Sequence, residues 1–334
     1  MQADHSYLDA YRDTRVLVTG GAGAIGSNLC RSLTELGANV IVLDDLSSSS
    51  LREVCHPPNC VFIQGSILDH AVLNKAFSLR PRIVFHLAAL FANQNSIDHP
   101  DRDLLVNGLG TLKVLQAAQV IQVDRFVYAS TSCSVYGAAT PMPIKEDFVS
   151  LELTTPYQIT KLLGELYCNF FKNFYQLKIS KVRFFNSYGP GEIPGRYRNV
   201  IPNFIYRALH RQPLTITGSG EETRDWTYVG DIVDGLLRVG VMEDAVGEVF
   251  NLASGKETRV IDLATWVNEI TENPAGIIHV GRRNWDIHHR RWASIEKAKR
   301  MLNYEPMTDL YSGLLKTVRW FKENWTPILS SVRF

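Results

Sequence analysis

Short runs of apolar and β-branched residues recur along the first half of the chain and predict the strands of a sheet. Helix-like spacing of apolar positions, as from Leu29 to Leu36, separates most of these runs. Strands that are apolar throughout and alternate with helices indicate a parallel sheet that is covered on both faces. We therefore predict an α/β fold, with strands at Arg15–Thr19, Asn39–Leu43, Cys60–Ile63, Arg82–His86, Arg125–Tyr128 and Ile179–Arg183.

The alternation ends after Asn186. A stretch rich in glycine, proline and arginine follows, from Tyr188 to Arg196, and then a helical segment near Pro202 to His210. A chain of 334 residues, 45% of them hydrophobic, is long enough for a second, smaller domain. We expect the sheet domain to contain residues 1–185 with a returning segment at about 227–262, and the smaller C-terminal domain to contain residues 186–226 and 263–334.

A glycine-rich turn lies between the first predicted strand and the first predicted helix. Gly20, Gly23 and Gly26 occupy the spacing GxxGxxG. Glycines there permit a tight turn and let a pyrophosphate approach the helix N-terminus. The second strand ends in Asp44-Asp45, where a carboxylate can bond ribose hydroxyls and repel a 2′-phosphate. This context predicts a doubly wound, Rossmann-type sheet that binds NAD rather than NADP.

Tyr157 and Lys161 stand four residues apart in a segment, Tyr157 to Phe171, that we expect to be helical. The spacing puts both side chains on one face of the helix. An unperturbed tyrosine, with a pKa of about 10, is a poor base at neutral pH. A neighbouring ammonium and a cationic nicotinamide would both stabilise its phenolate, so the pair can serve in proton transfer. Alone, this spacing also occurs at ordinary protein surfaces.

Further motifs follow one another in order along the chain. They are His86-Leu87-Ala88-Ala89, Asn107 before Gly110-Thr111, Ser130-Thr131-Ser132-Cys133-Ser134-Val135-Tyr136-Gly137, Arg183-Phe184-Phe185-Asn186, Tyr188-Gly189-Pro190, Asn199-Val200-Ile201-Pro202, Thr223-Arg224-Asp225-Trp226, Asp231 and Arg282-Arg283-Asn284-Trp285-Asp286. With the glycine turn and the Tyr157/Lys161 pair, the chain resembles the extended short-chain dehydrogenases/reductases that act on nucleotide sugars. The resemblance runs from about Arg15 to about Tyr304.

The resemblance implies NAD as the cofactor, a UDP-sugar as the substrate, and three catalytic residues. By position, Ser132 is the hydroxyl that bonds the sugar O4, Tyr157 is the base, and Lys161 binds the nicotinamide ribose. The residues implied at the cofactor are Gly20, Gly23, Ala24, Ile25, Gly26, Asp44, Asp45, Leu46, Ser66, Ile67, Leu87, Ala88, Ala89, Asn107, Ser130, Tyr157 and Lys161. Among them, Ser66 replaces an aspartate that bonds the adenine in many relatives.

A second set of residues is implied at the substrate: Phe91, Cys133, Ser134, Asn186, Asn199, Val200, Arg224, Arg283 and Asp286. In this set Asn186, Asn199, Arg224 and Arg283 correspond to the grip on the diphosphate, and Asp286 to the contact with the uridine ribose. Arginine suits that grip because its planar fork meets phosphate oxygens bidentately.

Positions 133 and 134 bear on the reaction, which in this family begins with oxidation of the sugar at C4. Dehydratase relatives carry an Asp-Glu pair before Val-Tyr-Gly, and hexuronate decarboxylases carry a glutamate at the second of these positions. This chain has Cys133 and Ser134 there. Without a carboxylate, elimination or acid-assisted decarboxylation lacks its general acid/base. We therefore expect a UDP-sugar 4-epimerase, in which the keto intermediate turns over and receives the hydride back.

Three other interpretations stay open. Arg196, Arg198 and the serines could hold the carboxylate of UDP-glucuronate, either for 4-epimerisation of the uronate or for its decarboxylation. The Cys133 thiol could serve as a nucleophile or in a 3,5-epimerase type of reaction. The fold could also belong to an NAD-sensing regulator without catalysis, although such a protein would need only the cofactor half of the site.

Charge and composition exclude several partners. The 35 basic and 34 acidic residues give a formal net charge of +1, so no overall field attracts nucleic acid or an anionic membrane.

We see neither a signal peptide nor a run of roughly 20 apolar residues, and expect a soluble protein. The five cysteines form no CxxC pair or zinc pattern, which predicts reduced thiols, a cytoplasmic location and no metal site. We also expect a homodimer.

Overall fold

The computed structural model describes residues 6–48, 59–137, 141–283, 286 and 289–332. The strands lie at β1 (Arg15–Thr19), β2 (Asn39–Asp44), β3 (Cys60–Gln64), β4 (Ile83–His86), β5 (Arg125–Thr131), β6 (Ile179–Phe184), β7 (Ser187–Tyr188), β8 (Leu214–Thr217), β9 (Thr223–Asp225), β10 (Thr227–Tyr228), β11 (Val249–Leu252), β12 (Glu257–Arg259) and β13 (Ile277–Val280). Seven of them form a parallel central sheet in the order β11-β6-β5-β4-β1-β2-β3. The predicted fold class is confirmed.

The α-helices lie at α1 (Ala24–Glu35), α2 (His70–Ser78), α3 (Asn93–Asp98), α4 (Pro100–Asp103), α5 (Thr111–Ile121), α6 (Ser132–Val135), α7 (Pro156–Tyr175), α8 (Val200–Leu209), α9 (Val229–Val241), α10 (Val260–Thr271), α11 (Glu296–Leu302), α12 (Leu310–Glu323) and α13 (Trp325–Ser331). A π-helical segment, Leu104–Gly110, joins α4 to α5, and 3-10 helices lie at Ser6–Tyr11 and Glu243–Ala245.

The sheet is covered on both faces because its apolar strands alternate their side chains between them. On one face, Val16 and Val18 of β1 belong to a core that includes residues of α1 and α9. On the other face, Leu17 of the same strand packs in a core with residues of α2, α5 and α7. Because these two cores cover both faces of the sheet, a ligand site can form in the loops at the carboxyl ends of the strands.

A separate hydrophobic core lies in the second half of the chain. It contains Ile201 and Phe204 of α8, Leu263 of α10 and Leu314 of α12, all of them buried. The chain passes between the sheet and this separate core more than once. β11 returns to the large sheet, where it pairs with β6, and α10, which follows β11, packs in the separate core.

The helix Pro100–Ile121 passes a length and composition test for a membrane span, among the described residues. The sequence did not suggest it, because Asn107 and several glycines interrupt its apolar positions. Residues of this helix pack against α7, and Asn107, Thr111 and Leu115 are buried. Length and composition are weak evidence by themselves, since core helices of folded domains meet the same test.

The cysteines depart from the expectation of reduced thiols at one position. Cys60 at the start of β3 is in a disulfide bond. Cys30 and Cys168 are free and buried, and burial raises the pKa of both thiols well above the ordinary range. The prediction is therefore wrong for Cys60, because a thiol's spacing in sequence does not show which cysteine the folded chain brings beside it.

Candidate active site

A cavity of about 410 Å³ opens along the carboxyl ends of the central strands. Gly20, Asp44, Leu87 and Ser130, which follow or end β1, β2, β4 and β5, border it. Open parallel sheets bind ligands at this edge, where the loops after neighbouring strands converge. Twenty-two of the residues implied by the sequence border this one cavity. They are Gly20, Gly23, Ala24, Ile25, Gly26, Asp44, Asp45, Ser66, Ile67, Leu87, Ala88, Ala89, Phe91, Ser130, Tyr157, Lys161, Asn186, Asn199, Val200, Arg224, Arg283 and Asp286.

The glycine turn is closely packed against the loop after β4. Gly20 has a φ of +70°, and a Cβ atom there would lie 2.6 Å from the backbone nitrogen of Ala88. At Gly26 a Cβ would lie 2.2 Å from the carbonyl oxygen of Gly20. Side chains at these positions would therefore displace the turn from the N-terminus of α1. No side chain caps that terminus at Gly23, so its N–H groups face the cavity and suit a pyrophosphate.

Asp44 ends β2 with its carboxylate fixed by the backbone. One oxygen accepts a hydrogen bond from the N–H of Ala22 at 3.0 Å, and the other accepts one from the N–H of Leu46 at 2.8 Å. Burial raises the pKa of Asp44, and these two bonds oppose the rise. Each oxygen retains acceptor capacity for a ribose hydroxyl. The glycine turn and Asp44 thus fit the pyrophosphate and the adenosine ribose of an adenine dinucleotide.

Tyr157 and Lys161 lie in the first turns of α7, where Pro156 is the first residue and Thr155 caps the helix. Both side chains are buried, and the ring of Phe91 packs edge-on against Tyr157 at 6.1 Å. The Lys161 Nζ donates to the carbonyl of Ala129 at 2.6 Å. Burial lowers the pKa of Lys161 to about 8, against the charge of Asp103, which raises it. The Lys161 side chain is therefore held beside the end of β5, and nearby charges affect whether it is protonated.

Ser132 is the first residue of α6, directly after β5. It is buried, and its Oγ has no hydrogen-bond partner within the part of the chain that the structure describes. A buried hydroxyl without a partner is costly, which makes it a candidate for a bond to a ligand. Ser132 does not border the cavity itself.

The residues that the sequence implies at the diphosphate and the uridine ribose border the same cavity. Asn199 is the N-cap of α8 without a side-chain cap, so a second helix N-terminus faces the same space. Two such termini can hold two phosphate groups. Arg224 donates to Asp286 at 2.8 Å, so the two residues form an ion pair. The sequence had implied a separate contact for each, with the diphosphate for Arg224 and with the uridine ribose for Asp286.

Two residues implied at the cofactor lie differently from expectation. Leu46 and Asn107 are not part of the cavity wall. Asn107 is buried and accepts from the N–H of Leu90 at 2.8 Å, so it holds the loop that borders the cavity. The side chains of Cys133 and Ser134, like Cys55, Asn284, Trp285 and His288, lie outside the described residues.

Sequence reasoning assigned no role to three residues of the wall, Gln158, Glu192 and Trp226. Glu192 is buried and accepts from the side chain of Asn199 at 2.9 Å, and burial raises its pKa to about 7. Glu192 lies in the glycine- and proline-rich stretch, whose conformation the local sequence does not determine. Gln158 had a signal, since it lies between Tyr157 and Lys161.

Comparisons with known proteins agree with this geometry. A sequence model described as "NAD dependent epimerase/dehydratase family" matches residues 16–253. The chain is 33% identical over 311 residues to a UDP-glucose 4-epimerase of Mycolicibacterium smegmatis, which covers 92% of this chain and 98% of that protein.

Two solved structures are closely similar in fold. Epimerase Mth375 from Methanothermobacter thermautotrophicus has a TM-score of 0.97 and 55% identity, covering 98% of both chains. The enzyme WbmF of Bordetella bronchiseptica, in complex with NAD+ and UDP, has a TM-score of 0.85 and 37% identity, covering 97% of this chain and 96% of that one.

Proposed function

Because this chain belongs to the NAD dependent epimerase/dehydratase family, we propose that it epimerises C4 of a UDP-sugar, a UDP-hexose or a UDP-hexuronate, through a transient 4-keto intermediate. The cofactor is NAD, as the family is NAD-dependent. One observation carries the choice of reaction: the positions after Ser132, where relatives that eliminate or decarboxylate have acids, are Cys133 and Ser134.

The carboxylates that do border the cavity have other partners, among the described residues. Asp45 accepts from the backbone of Ser47, Glu192 from Asn199, and Asp286 from Arg224, while Asp44 is held as described above. None of these four carboxylates stands at the two positions after Ser132, where the relatives that eliminate or decarboxylate carry their acid.

In the proposed mechanism, Tyr157 takes the proton of the sugar 4-hydroxyl and later returns it. The Lys161 ammonium stabilises the phenolate of Tyr157, and the hydroxyl of Ser132 donates to the sugar O4. Bound NAD would accept the hydride from C4 and give it back. Phe91 borders the cavity here and packs edge-on against the Tyr157 ring.

We propose that residues 186–226 and 263–334 form the substrate domain, with the N-terminus of α8 and Arg283 on the diphosphate. The separate core around α8, α10 and α12 supports this division. Arg196 donates to Asp98 at 3.2 Å, so its charge is already matched in the structure. That contact favours an uncharged hexose over a uronate at this arginine.

The reaction is tested by substrate deuterated at C4. Epimerisation returns the same hydride to the same carbon, so the product is expected to keep the label at C4 with inverted configuration. No net NADH should appear, and no solvent deuterium should enter at C5. Mass spectrometry and NMR of the product follow both positions.

The outcomes separate the alternatives. A 4-keto-6-deoxy product would identify a dehydratase, a pentose would identify a decarboxylase, and accumulated NADH would identify a dehydrogenase. Tight NAD binding without turnover of UDP-glucose, UDP-N-acetylglucosamine or UDP-glucuronate would favour the NAD-sensing hypothesis. The same panel of three substrates identifies the sugar.

We also propose that the protein is a homodimer through an exposed apolar stripe. The outer stripe consists of Leu104, Leu105 and Leu109 of the π-helical segment and Ile159, Leu166, Phe170 and Phe174 of α7. The rings of Phe170 and Phe174 stack at 5.5 Å, and Phe174 is 69% exposed. Monomeric proteins rarely expose such patches. Two antiparallel helix pairs related by a two-fold axis would bury it as a four-helix contact.

Phe174→Glu with Leu166→Glu is expected to convert a dimer into a monomer, because two buried charges on each side of the axis would face one another without partners. Sedimentation velocity measures the state. The matched control is Leu151→Glu, at a residue that is 88% exposed and outside the outer stripe, and it should leave the dimer intact. A monomeric wild-type protein would overturn this proposal.

A further inference from the structure

Asp103 is a buried acid that the mechanism above does not use. It ends α4, and its exposed fraction is 0%. One carboxylate oxygen accepts a hydrogen bond from Thr160 Oγ1 at 2.6 Å, and the other accepts one from Asn107 Nδ2 at 2.7 Å. A fully buried carboxylate is expensive to maintain unless its charge is compensated, so its surroundings indicate what it compensates.

The two hydrogen bonds of Asp103 lead to the active site from two sides. Thr160 directly precedes Lys161 on α7. Asn107 accepts from the N–H of Leu90 and donates to the carbonyl of Leu90 at 3.1 Å, and Leu90 borders the cavity. The carboxylate therefore joins the helix that carries Lys161 to the loop after β4.

Asp103 forms no ion pair within the described ranges, and both of its hydrogen-bond donors are neutral. Burial raises the pKa of Asp103, and the charge of Lys161 lowers it. The titratable groups around Lys161 are Asp103, Glu165 and Cys168, with Tyr157 one turn earlier on α7 and with His86 of β4 and Tyr128 of β5 on the sheet side. Glu165 is matched by Arg183 at 2.8 Å. Burial keeps His86 neutral, with a pKa of about 3, and raises the pKa of the Cys168 thiol and the Tyr128 phenol.

We propose that Asp103 is a positioning residue whose buried carboxylate is the counter-charge of Lys161 and, through Asn107, fixes the Leu90 loop at the cofactor pocket. The proposal rests on the proposed function, in which Lys161 acts as an ammonium. Asp103 touches neither cavity nor reacting atoms, so it acts only through these neighbours.

The sign of the effect follows from the charges. Burial lowers the pKa of Lys161 to about 8, and Asp103 raises it. Without the negative charge the pKa of Lys161 falls further, and the neutral amine appears at lower pH. The loss of activity at alkaline pH, where Lys161 deprotonates, should then begin at lower pH.

The test is the pKa of Lys161 in the NAD-loaded protein, followed by NMR of 15N-lysine with the Nζ signal assigned from Lys161→Arg. Asp103→Asn should lower this pKa by on the order of one unit, and the alkaline limb of kcat should move by the same amount. Asp101→Asn, on the same short helix, is the matched control and should change neither.

An unchanged Lys161 pKa in folded Asp103→Asn would overturn the proposal, whatever happens to activity. Asp103→Ser repeats the test with a smaller side chain if the amide does not fit beside Asn107. Failure of both variants to fold would also contradict it, since the carboxylate would then serve stability alone. If the protein epimerises no UDP-sugar, the NMR titration still decides this inference, so its failure and that of the proposed function are distinguishable.

Discussion

Tyr157→Phe is expected to lower kcat by on the order of a thousandfold or more, as when a positioned proton-transfer group is removed. The ring remains, so its packing against Phe91 and the buried start of α7 should persist. Binding of UDP and NAD should therefore stay near the wild-type level. Steady-state kinetics with the accepted UDP-sugar, together with titration of UDP and measurement of bound NAD, separates the loss of chemistry from a loss of binding.

The matched control is Tyr175→Phe at the end of the same helix. Tyr175 is 37% exposed and distant in sequence from the pair, so loss of its hydroxyl should leave kcat unchanged. Turnover by Tyr157→Phe within about tenfold of wild type would contradict the assignment of the base, because general acid/base catalysis contributes more than this.

Local sequence carries much of this fold. The apolar runs of β1, β2, β4 and β6 are buried nearly throughout, and such strands look alike whichever neighbour they pair with. The glycine turn and the Tyr157/Lys161 pair can likewise be recognised from local sequence, since each consists of residues within a short stretch of the chain. These features could be predicted because few distant contacts compete with them.

Other parts of the site depend on contacts between distant segments. Arg224 and Asp286 are 62 residues apart and form an ion pair that no local pattern indicates. Asn107 lies in a motif of the family, but only the folded chain shows that its side chain bonds the backbone of Leu90 and does not itself border the cavity. The disulfide at Cys60 and the burial of Glu192 could not be predicted from local sequence either, because tertiary structure determines burial and bonding partners.

A buried ion pair that sequence reasoning also missed connects α7 to the sheet. Arg183 of β6 donates through Nε and Nη2 to the two oxygens of Glu165 on α7, at 2.9 and 2.8 Å. Its Nη1 donates to Tyr136 and to the carbonyl of Glu146. Only 3% and 4% of the Arg183 and Glu165 side chains are exposed. Burial raises the pKa of Glu165, but the bond and charge of Arg183 lower it to below its ordinary value.

Arg183→Met is expected to destabilise the protein by about 3–5 kcal/mol, because it leaves the Glu165 carboxylate buried without a cation. Since the folded-state pKa of Glu165 is depressed, the pair's contribution is present above the ordinary pKa of 4.5 and is lost as pH falls through the lowered value. Urea unfolding at pH 7 with saturating NAD measures the loss, with the ligand concentration held fixed so that binding does not shift the midpoint.

Two further variants decide whether the loss comes from a stranded charge. Arg183→Met combined with Glu165→Leu removes both charges, so it should be more stable than Arg183→Met alone, although Tyr136 and Glu146 still lose a donor. Arg82→Met breaks an exposed pair with Asp124, whose side chains are 62% and 53% exposed, and should cost less than about 1 kcal/mol. Equal losses for Arg82→Met and Arg183→Met would show that burial does not strengthen the pair, and α7 would then be held by its apolar contacts alone.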